Sequence, residues 1–221
     1  MIDLTQAMKD RHSVRSYISR PIDEDKVTAL QNKIQKINAE SGLHFQLMIN
    51  EPQAFSGRLA HYGSFRSCNN YFAVTAKDGR EVEIGYYGER LVLLAQQLGL
   101  NTCWVALTYS KSKVPVDCAS GEKLRIVIAL GYGETQGAAH KSKTATSLCR
   151  VSGTMPDWFR RGMEAAMLAP TAVNQQKFRF ELVEPNTVKA GTAFGPYAKI
   201  DLGIAKLHFE IGAGKENFQW A

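Results

Sequence analysis

The feature that most constrains this chain is a helix-and-strand pattern that occurs twice. The segment IGYYGERLVLLAQQLGLNTCWV, from Ile84, lies over IDLGIAKLHFEIGAGKENFQWA, from Ile200, at a displacement of 116 residues. The overlay pairs Ile84 with Ile200, Arg90 with Lys206, Leu91 with Leu207 and Trp104 with Trp220. The stretch 23–49 parallels 157–183 in the same helix-then-strand order. Fixed-period similarity is the signature of a duplicated unit. Two explanations are open: chance likeness of two amphipathic helices, or two related halves, 1–150 and 151–221, about a pseudo-twofold axis within one domain spanning 1–221. In the first copy, residues 83–98 put Leu91, Leu94, Ala95 and Leu98 on one face, with Gly99 placed to stop the helix. It is the most apolar helix of the chain, which predicts a central position.

The remaining periodicities give the fold class. Helices are predicted at 3–10 and 23–38, the second with Val27, Leu30, Ile34 and Ile37 at helical spacing and acids in its first turn. Strands are predicted at HFQLMIN from His44, at the nearly unbroken apolar run YFAVTA, and at RIVIALGYGE from Arg125. SGRLAHYGSFRSCNN reads as a loop. DWFRRGMEAAMLAPTAVNQQKFRFELVEPN reads as a helix, a Pro-bearing turn and a strand, with Pro170 ending the helix that carries AAMLA. Helices and strands mix without a strict strand–helix–strand beat. The fold class is therefore α+β with a mostly antiparallel central sheet flanked by helices.

Composition narrows the function classes. The net charge of +6 permits an anionic partner, but the charges are scattered without a run of five, which argues against a dedicated nucleic-acid surface. Cys68, Cys103, Cys118 and Cys149 show no CxxC spacing and are too few for a disulfide scaffold, so reduced thiols and a cytoplasmic location are expected. No apolar run approaches the ~18 residues of a membrane span, and the N-terminus lacks the apolar stretch of a signal peptide.

Three stretches carry candidate chemistry. RHSVRSY, residues 11–17, holds two arginines, a histidine and two serines with no acid. Short charge clusters are usually solvated surface, but a second patch, His140 to Lys143, follows the Gly-rich end of a strand. Arg11 or Arg15 can grip a phosphate with a planar fork, and Lys141 and Lys143 can act on the same group as point charges. No GxGxxG or GxxxxGK[ST] is present, which excludes Rossmann and P-loop signatures. APTAVNQQKFRF, from Ala169, offers Thr171, Asn174 and Gln176 as groups able to hydrogen-bond a heteroaromatic edge.

Together RHSVRSY, LAQQLGLNTCWV, GYGE with its following KSK, and APTAVNQQKFRF resemble the FMN-dependent nitroreductase family. Its usual signatures are RRSxRxF, LGLGTCWLGG, a basic loop after a Gly-bearing strand end, and APSxxNxQPWxF. The nearest match is the TM nitroreductase subgroup, in which the Asn-bearing element lies near the C-terminus, as here. The resemblance implies a nitroreductase-like fold binding FMN. Its phosphate would meet Arg11, Ser13, Lys141 and Lys143, with His12 beside them through its backbone. Arg15 would approach the pyrimidine edge and stabilise negative charge at N1 and O2 on reduction. The backbone of Trp104, Val105 and Ala106 would pass near N5, and Pro170, Thr171, Ala172 and Asn174 would wall the ring. In typical members that wall comes from a second subunit of a homodimer; here the chain's own second half can supply it, giving a pseudo-dimeric monomer.

Two departures stand out. Val-Ala-Leu replaces the family's Gly-Gly after the tryptophan, which restricts backbone approach to N5, and Gln-Lys-Phe replaces Gln-Pro-Trp. The resemblance implies an oxidoreductase passing electrons from NAD(P)H to a small oxidised acceptor such as a nitroaromatic or quinone. The alternatives are a flavin-storing or flavin-sensing protein without fast turnover and a nucleic-acid binder, whose binding would be strongly salt-dependent.

Overall fold

The computed structural model describes residues 2–221. In chain order the elements are α1 (Leu4–Asp10), α2 (Glu24–Ser41), β1 (His44–Met48), α3 (Arg58–Tyr62), β2 (Asn70–Ala76), α4 (Glu81–Gln97), β3 (Asn101–Val105), β4 (Lys123–Gly131), α5 (Ala145–Leu148), β5 (Cys149–Val151), α6 (Asp157–Ala166), β6 (Phe178–Glu184), β7 (Thr187–Thr192), α7 (Ala198–Ala213) and β8 (Gln219–Trp220). They form two compact units interleaved in sequence. One comprises Asp10–Arg80 and Leu91–Ala138; the other comprises Ile2–Lys9, Glu81–Arg90 and Ala139–Ala221.

The first unit is built on an antiparallel sheet in the order β1-β2-β4-β3. Every residue of β2 is buried, as its unbroken apolar run requires. Helix α2 buries Leu30, Ile34 and Ile37, while Val27 is half-buried. It runs to Ser41, past the expected end at 38, because the next glycine, Gly42, takes the left-handed conformation (φ 66°) and returns its N–H to Asn38 O. Asn38 then brackets Phe45, donating to its carbonyl and accepting from its N–H at 2.9 Å each, and so fixes the helix to the following strand. A short helix, α3, occupies the stretch read as loop. The core is aromatic: Phe55, Phe65, Tyr71 and Tyr109 cluster with Val14 and Tyr17, and the Phe55 and Phe65 rings lie 4.9 Å apart. In α4 the burial is broader than the predicted face: Leu91, Val92, Leu93 and Ala95 are buried and Leu94 and Leu98 half-buried.

The second unit has its own four-stranded sheet, β5-β6-β7-β8. It is mixed: β6–β7 is antiparallel, whereas β5–β6 and β7–β8 are parallel. β7 and β8 are consecutive parallel neighbours because α7 crosses between them. In the first unit β2 and β3 are likewise parallel and joined by α4, but β4 is inserted between them. Glycines set the helix packing. A Cβ on Gly162 of α6 would stand 2.7 Å from the Phe209 ring of α7, and one on Gly203 of α7 would stand 1.9 Å from Val82 O of α4. Gly85 faces Ile200 O in the same way, at 2.0 Å. These helices touch backbone to backbone, which no larger residue permits. His208 of α7 and Glu89 of α4, both fully buried, meet at 3.0 Å, and the other imidazole nitrogen faces Ala165 O at 3.2 Å. Trp220 Nε1 and Tyr86 Oη both donate to Glu210, at 2.7 and 2.6 Å.

Candidate functional site

The basic segment 11–17 is an extended strip fixed on both sides within the first unit. Ser13 bridges Thr102 of β3 in parallel, with Val14 N–H donating to Thr102 O at 3.0 Å. Tyr17 N–H donates to Arg66 O at 3.1 Å, Arg66 N–H returns to Arg15 O at 3.0 Å, and Glu134 N–H reaches Ser16 O at 2.9 Å. Val14 and Tyr17 go to the core at 2% exposure, whereas Arg15 is exposed. Arg11 is buried, and His12 and Ser13 are half-buried. Gly137 closes the strip from behind: at φ 72° it lies so near that a Cβ would be 2.8 Å from His12 Cβ.

Charge on the strip comes from the arginines. Burial, and then the neighbouring Arg11 charge, hold the His12 imidazole below its ordinary value, so His12 is neutral at neutral pH. Next to the Ser13–Thr102 bridge, Cys103 of β3 carries a buried thiol. Burial pushes that thiol up, against the pull of Arg15, Ser13 and Arg11, so Cys103 is an inert buried thiol. Trp104 and Val105 end β3, pairing Ile128 and Val127 of β4, and Ala106 follows the strand. Trp104 and Ala106 are half-buried and Val105 is buried. The next residue, Leu107, is 70% exposed.

The remaining candidates, Lys141, Lys143, Pro170, Thr171, Ala172 and Asn174, lie together in the second unit on two laced loops. Helix α6 closes at Ala166, one turn short of Pro170, because proline offers no N–H and disfavours helical backbone before it. Three of the next residues then adopt left-handed backbone without being glycine: Val173 (φ 46°), Asn174 (φ 53°) and Gln176 (φ 43°). Asn174 and Gln176 both donate to Lys141 O, at 2.9 and 2.8 Å, and Gln176 also donates to Asn174 Oδ1 at 2.7 Å. Lys143 N–H donates to Gln176 Oε1 at 2.8 Å, and Gln176 N–H to Thr171 Oγ1 at 3.1 Å. His140 Nε2 and Ser142 Oγ fasten the basic loop to Met167 O at the end of α6.

This geometry tests the flavin roles implied by the resemblance. Arg11 and Arg15 on the pinned strip of the first unit are donors of the kind a phosphate or an electron-rich ring edge requires, and in the second unit the exposed Lys141 is by itself another. Lys143 fits less well, because its ammonium caps the carbonyls of Gln175 and Gln176 at 2.8 and 3.0 Å. The Asn174 carboxamide is engaged at both ends within the loop network, so the wall it offers is its backbone. Sequence reasoning missed Gln175 and Asp201. Asp201 Oδ1 accepts from Ala172 N–H at 3.0 Å, and Oδ2 accepts from Gln175 Nε2 at 2.7 Å. The available signal was a lone acid among the apolar residues of IDLGIA.

No described helix is long and apolar enough to cross a membrane. Several solved structures share the fold. A nitroreductase from Thermotoga maritima is 21% identical over 97% of this chain and 85% of its own, with a TM-score of 0.68. A Desulfovibrio desulfuricans nitroreductase solved in complex with FMN is 15% identical over 71% of this chain and 99% of its own, with a TM-score of 0.51. A Parabacteroides distasonis protein described as an NADH dehydrogenase/NAD(P)H nitroreductase is 16% identical over 66% of this chain and 97% of its own, also at a TM-score of 0.51. No curated protein matches the chain. The family model described as "Putative TM nitroreductase" matches residues 3–213, nearly the whole chain, and the chain belongs to that nitroreductase family.

Proposed function

We propose that the protein is an FMN-dependent oxidoreductase that takes electrons from NAD(P)H and passes them to a small oxidised acceptor such as a nitroaromatic or quinone. The observation that carries this reading is the strip Arg11–Tyr17, held on the edge of β3 with both arginines on one pinned segment and a neutral histidine between them. Membership of the nitroreductase family supports it. FMN supplies the two-electron chemistry when bound, so no side chain is required as acid, base or nucleophile. In this reading Arg11, His12 and Ser13 face the phosphate end, and Arg15 presents a fixed positive charge where negative charge develops, without reorganisation. Trp104, Val105 and Ala106 provide backbone beside the reacting edge. On the second unit Lys141 adds charge toward the phosphate, Lys143 acts through the loop it braces, and Pro170, Thr171, Ala172 and Asn174 form the ring wall. FMN is favoured over FAD because the basic cluster is compact and no dinucleotide signature accompanies it.

The test is an absorption spectrum and mass analysis of the released cofactor, followed by stopped-flow mixing with NADPH or NADH. A flavin that bleaches within seconds and recovers on adding menadione or nitrofurazone is the expected result; stoichiometric FAD, or a colourless protein that does not bind FMN, would sink the proposal. A flavin-storing or flavin-sensing role is favoured by one observation, the side-chain-bearing Val105, Ala106 and Leu107 where the family carries Gly-Gly. Bound FMN that stays oxidised under NADPH and NADH would select that role.

A further inference from the structure

The loop 171–176 is strained in a way its own sequence does not explain. Non-glycine residues at positive φ are uncommon, and a β-branched one such as Val173 is an outlier. Three such residues within four positions persist only where surrounding contacts over-determine them. Val173 is 92% exposed and contributes no packing of its own. The loop is held by the basic loop at Lys141 and Lys143 on one side and, through Ala172 and Gln175, by a buried carboxylate on the other.

Asp201 sits in the first turn of α7 at 4% exposure. An acid there ordinarily serves its own helix, offsetting the exposed N–H groups. Asp201 instead directs one oxygen to each end of the loop: Oδ1 to Ala172 N–H, Oδ2 to the Gln175 amide. Gln175 uses its second amide hydrogen on Pro196 O at 2.8 Å. Its carbonyl side is accommodated because Gly195 has no side chain: a Cβ there would stand 2.6 Å from Gln175 Oε1 and 2.7 Å from Lys177 Nζ. Two charged neighbours border this network: Lys143, whose ammonium binds the carbonyls of Gln175 and Gln176 from the basic loop, and Lys177, whose ammonium binds Phe194 O at 2.7 Å. The carboxylate, the carboxamide and the Lys143 ammonium therefore fix successive residues of one short segment.

We infer that Asp201 is the positioning residue of the 171–176 loop, holding it in its left-handed conformation from the buried first turn of α7. The role requires two acceptors. Asparagine at 201 keeps one acceptor for Ala172 N–H but turns an N–H₂ toward the Gln175 amide, so one contact becomes donor against donor. Gln175 can answer only by reversing its amide, which deprives Pro196 O of its donor. The consequence for FMN rests on the function proposed above, in which this loop walls the ring.

Hydrogen exchange of the intact chain tests the positioning without reference to catalysis. In the native chain the N–H groups of Ala172, Asn174, Gln175 and Gln176 are hydrogen-bonded within the loop or to Asp201. Asp201→Asn is expected to speed exchange across 171–176 about tenfold or more while leaving β6 and the rest of α7 unchanged. Gly195→Ala, which crowds Gln175 without touching the carboxylate, should reproduce the effect. Unchanged exchange at 171–176 in both variants, or acceleration spread equally over β6 and α7, would overturn the inference. FMN titration by fluorescence quenching then separates the two claims. Faster loop exchange with FMN affinity reduced about tenfold supports both. The same exchange with unaltered FMN affinity supports the positioning role and removes the loop from the flavin wall. The same exchange in a protein that never binds FMN supports the positioning role and overturns the proposed function.

Discussion

Arg15 and Asp201 show how differently two charged residues contribute. Arg15 is exposed on a pinned strip, so removing it leaves the fold intact and deletes a cation. With a charge-assisted contact contributing about 1.5–3 kcal/mol, Arg15→Ala should weaken FMN binding roughly tenfold or more and lower the flavin midpoint potential. Lys141→Ala should weaken FMN binding while leaving riboflavin binding nearly unchanged, since the role proposed for it is toward the phosphate alone. Fluorescence titration with the two ligands checks both, and an equal loss for riboflavin would place Lys141 elsewhere. Asp201 is held from water, and burial raises its carboxyl from the ordinary 3.8 to about 6 against the pull of Ala172 N–H and the Gln175 amide. A carboxyl raised in the folded state binds its proton more tightly there. Its contribution to stability is full below the ordinary value and is lost as pH rises through about 6. The span from 3.8 to about 6 bounds that loss at roughly 3 kcal/mol. Asp201→Asn should therefore melt higher relative to the parent at pH 7.5 than at pH 4, even as the loop loosens. A melting difference independent of pH would contradict this.

At the scale of elements, glycines decide which helices can meet. Gly203 and Gly85 bring α7 and the N-terminal half of α4 to backbone contact, and Gly162 lets the Phe209 ring lie on α6. Gly203→Ala would place a methyl inside the van der Waals envelope of Val82 O, where only backbone can give way. A loss of about 1–3 kcal/mol or more is expected in urea denaturation. Gly191 in β7 is the control, since a Cβ there meets nothing within 4 Å. Gly191→Ala should be neutral or slightly stabilising. A Gly203→Ala variant as stable as the parent or more so would show that close approach does not govern that site, since helix propensity by itself favours alanine there.

Across the whole molecule, the two units repeat an order of elements without repeating a site. Each carries a helix before an antiparallel strand pair, then a crossover helix leading to a further strand, and the second lacks a counterpart of β4. This order agrees with the internal repeat but also with independent units of similar pattern. The basic strip and the Asn-bearing loop each occur once in the sequence, whereas Lys-Ser-Lys occurs at 111–113 as well as at 141–143; the single strip and single Asn-bearing loop lead us to expect one FMN per chain. Flavin absorbance against protein concentration, together with the native mass, checks this; two flavins per chain would contradict it. A monomer carrying one flavin would favour the pseudo-dimeric reading over a homodimer.

Local chemistry wrote much of this protein directly into its sequence. The apolar run of β2, the helical spacing in α2, the stop at Gly99, and the arginine-rich strip are properties of neighbouring residues, and they gave the α+β class, the antiparallel first sheet and the family. Other features depend on groups distant along the chain. The short α3 inside a Gly- and Ser-bearing loop and the mixed second sheet depend on which partners the backbone finds. Lys143 looked like a free phosphate ligand because its occupation by the carbonyls of Gln175 and Gln176 comes from residues 32 and 33 positions away. Asp201 was passed over in the sequence, and only the fold brings Ala172 and Gln175 to its two oxygens. The sequence determined which segments are helix, strand and cation-bearing strip, because those follow from spacing and side-chain chemistry. Tertiary structure alone decided which polar groups are already satisfied, because a hydrogen bond belongs to two residues and the sequence names them one at a time.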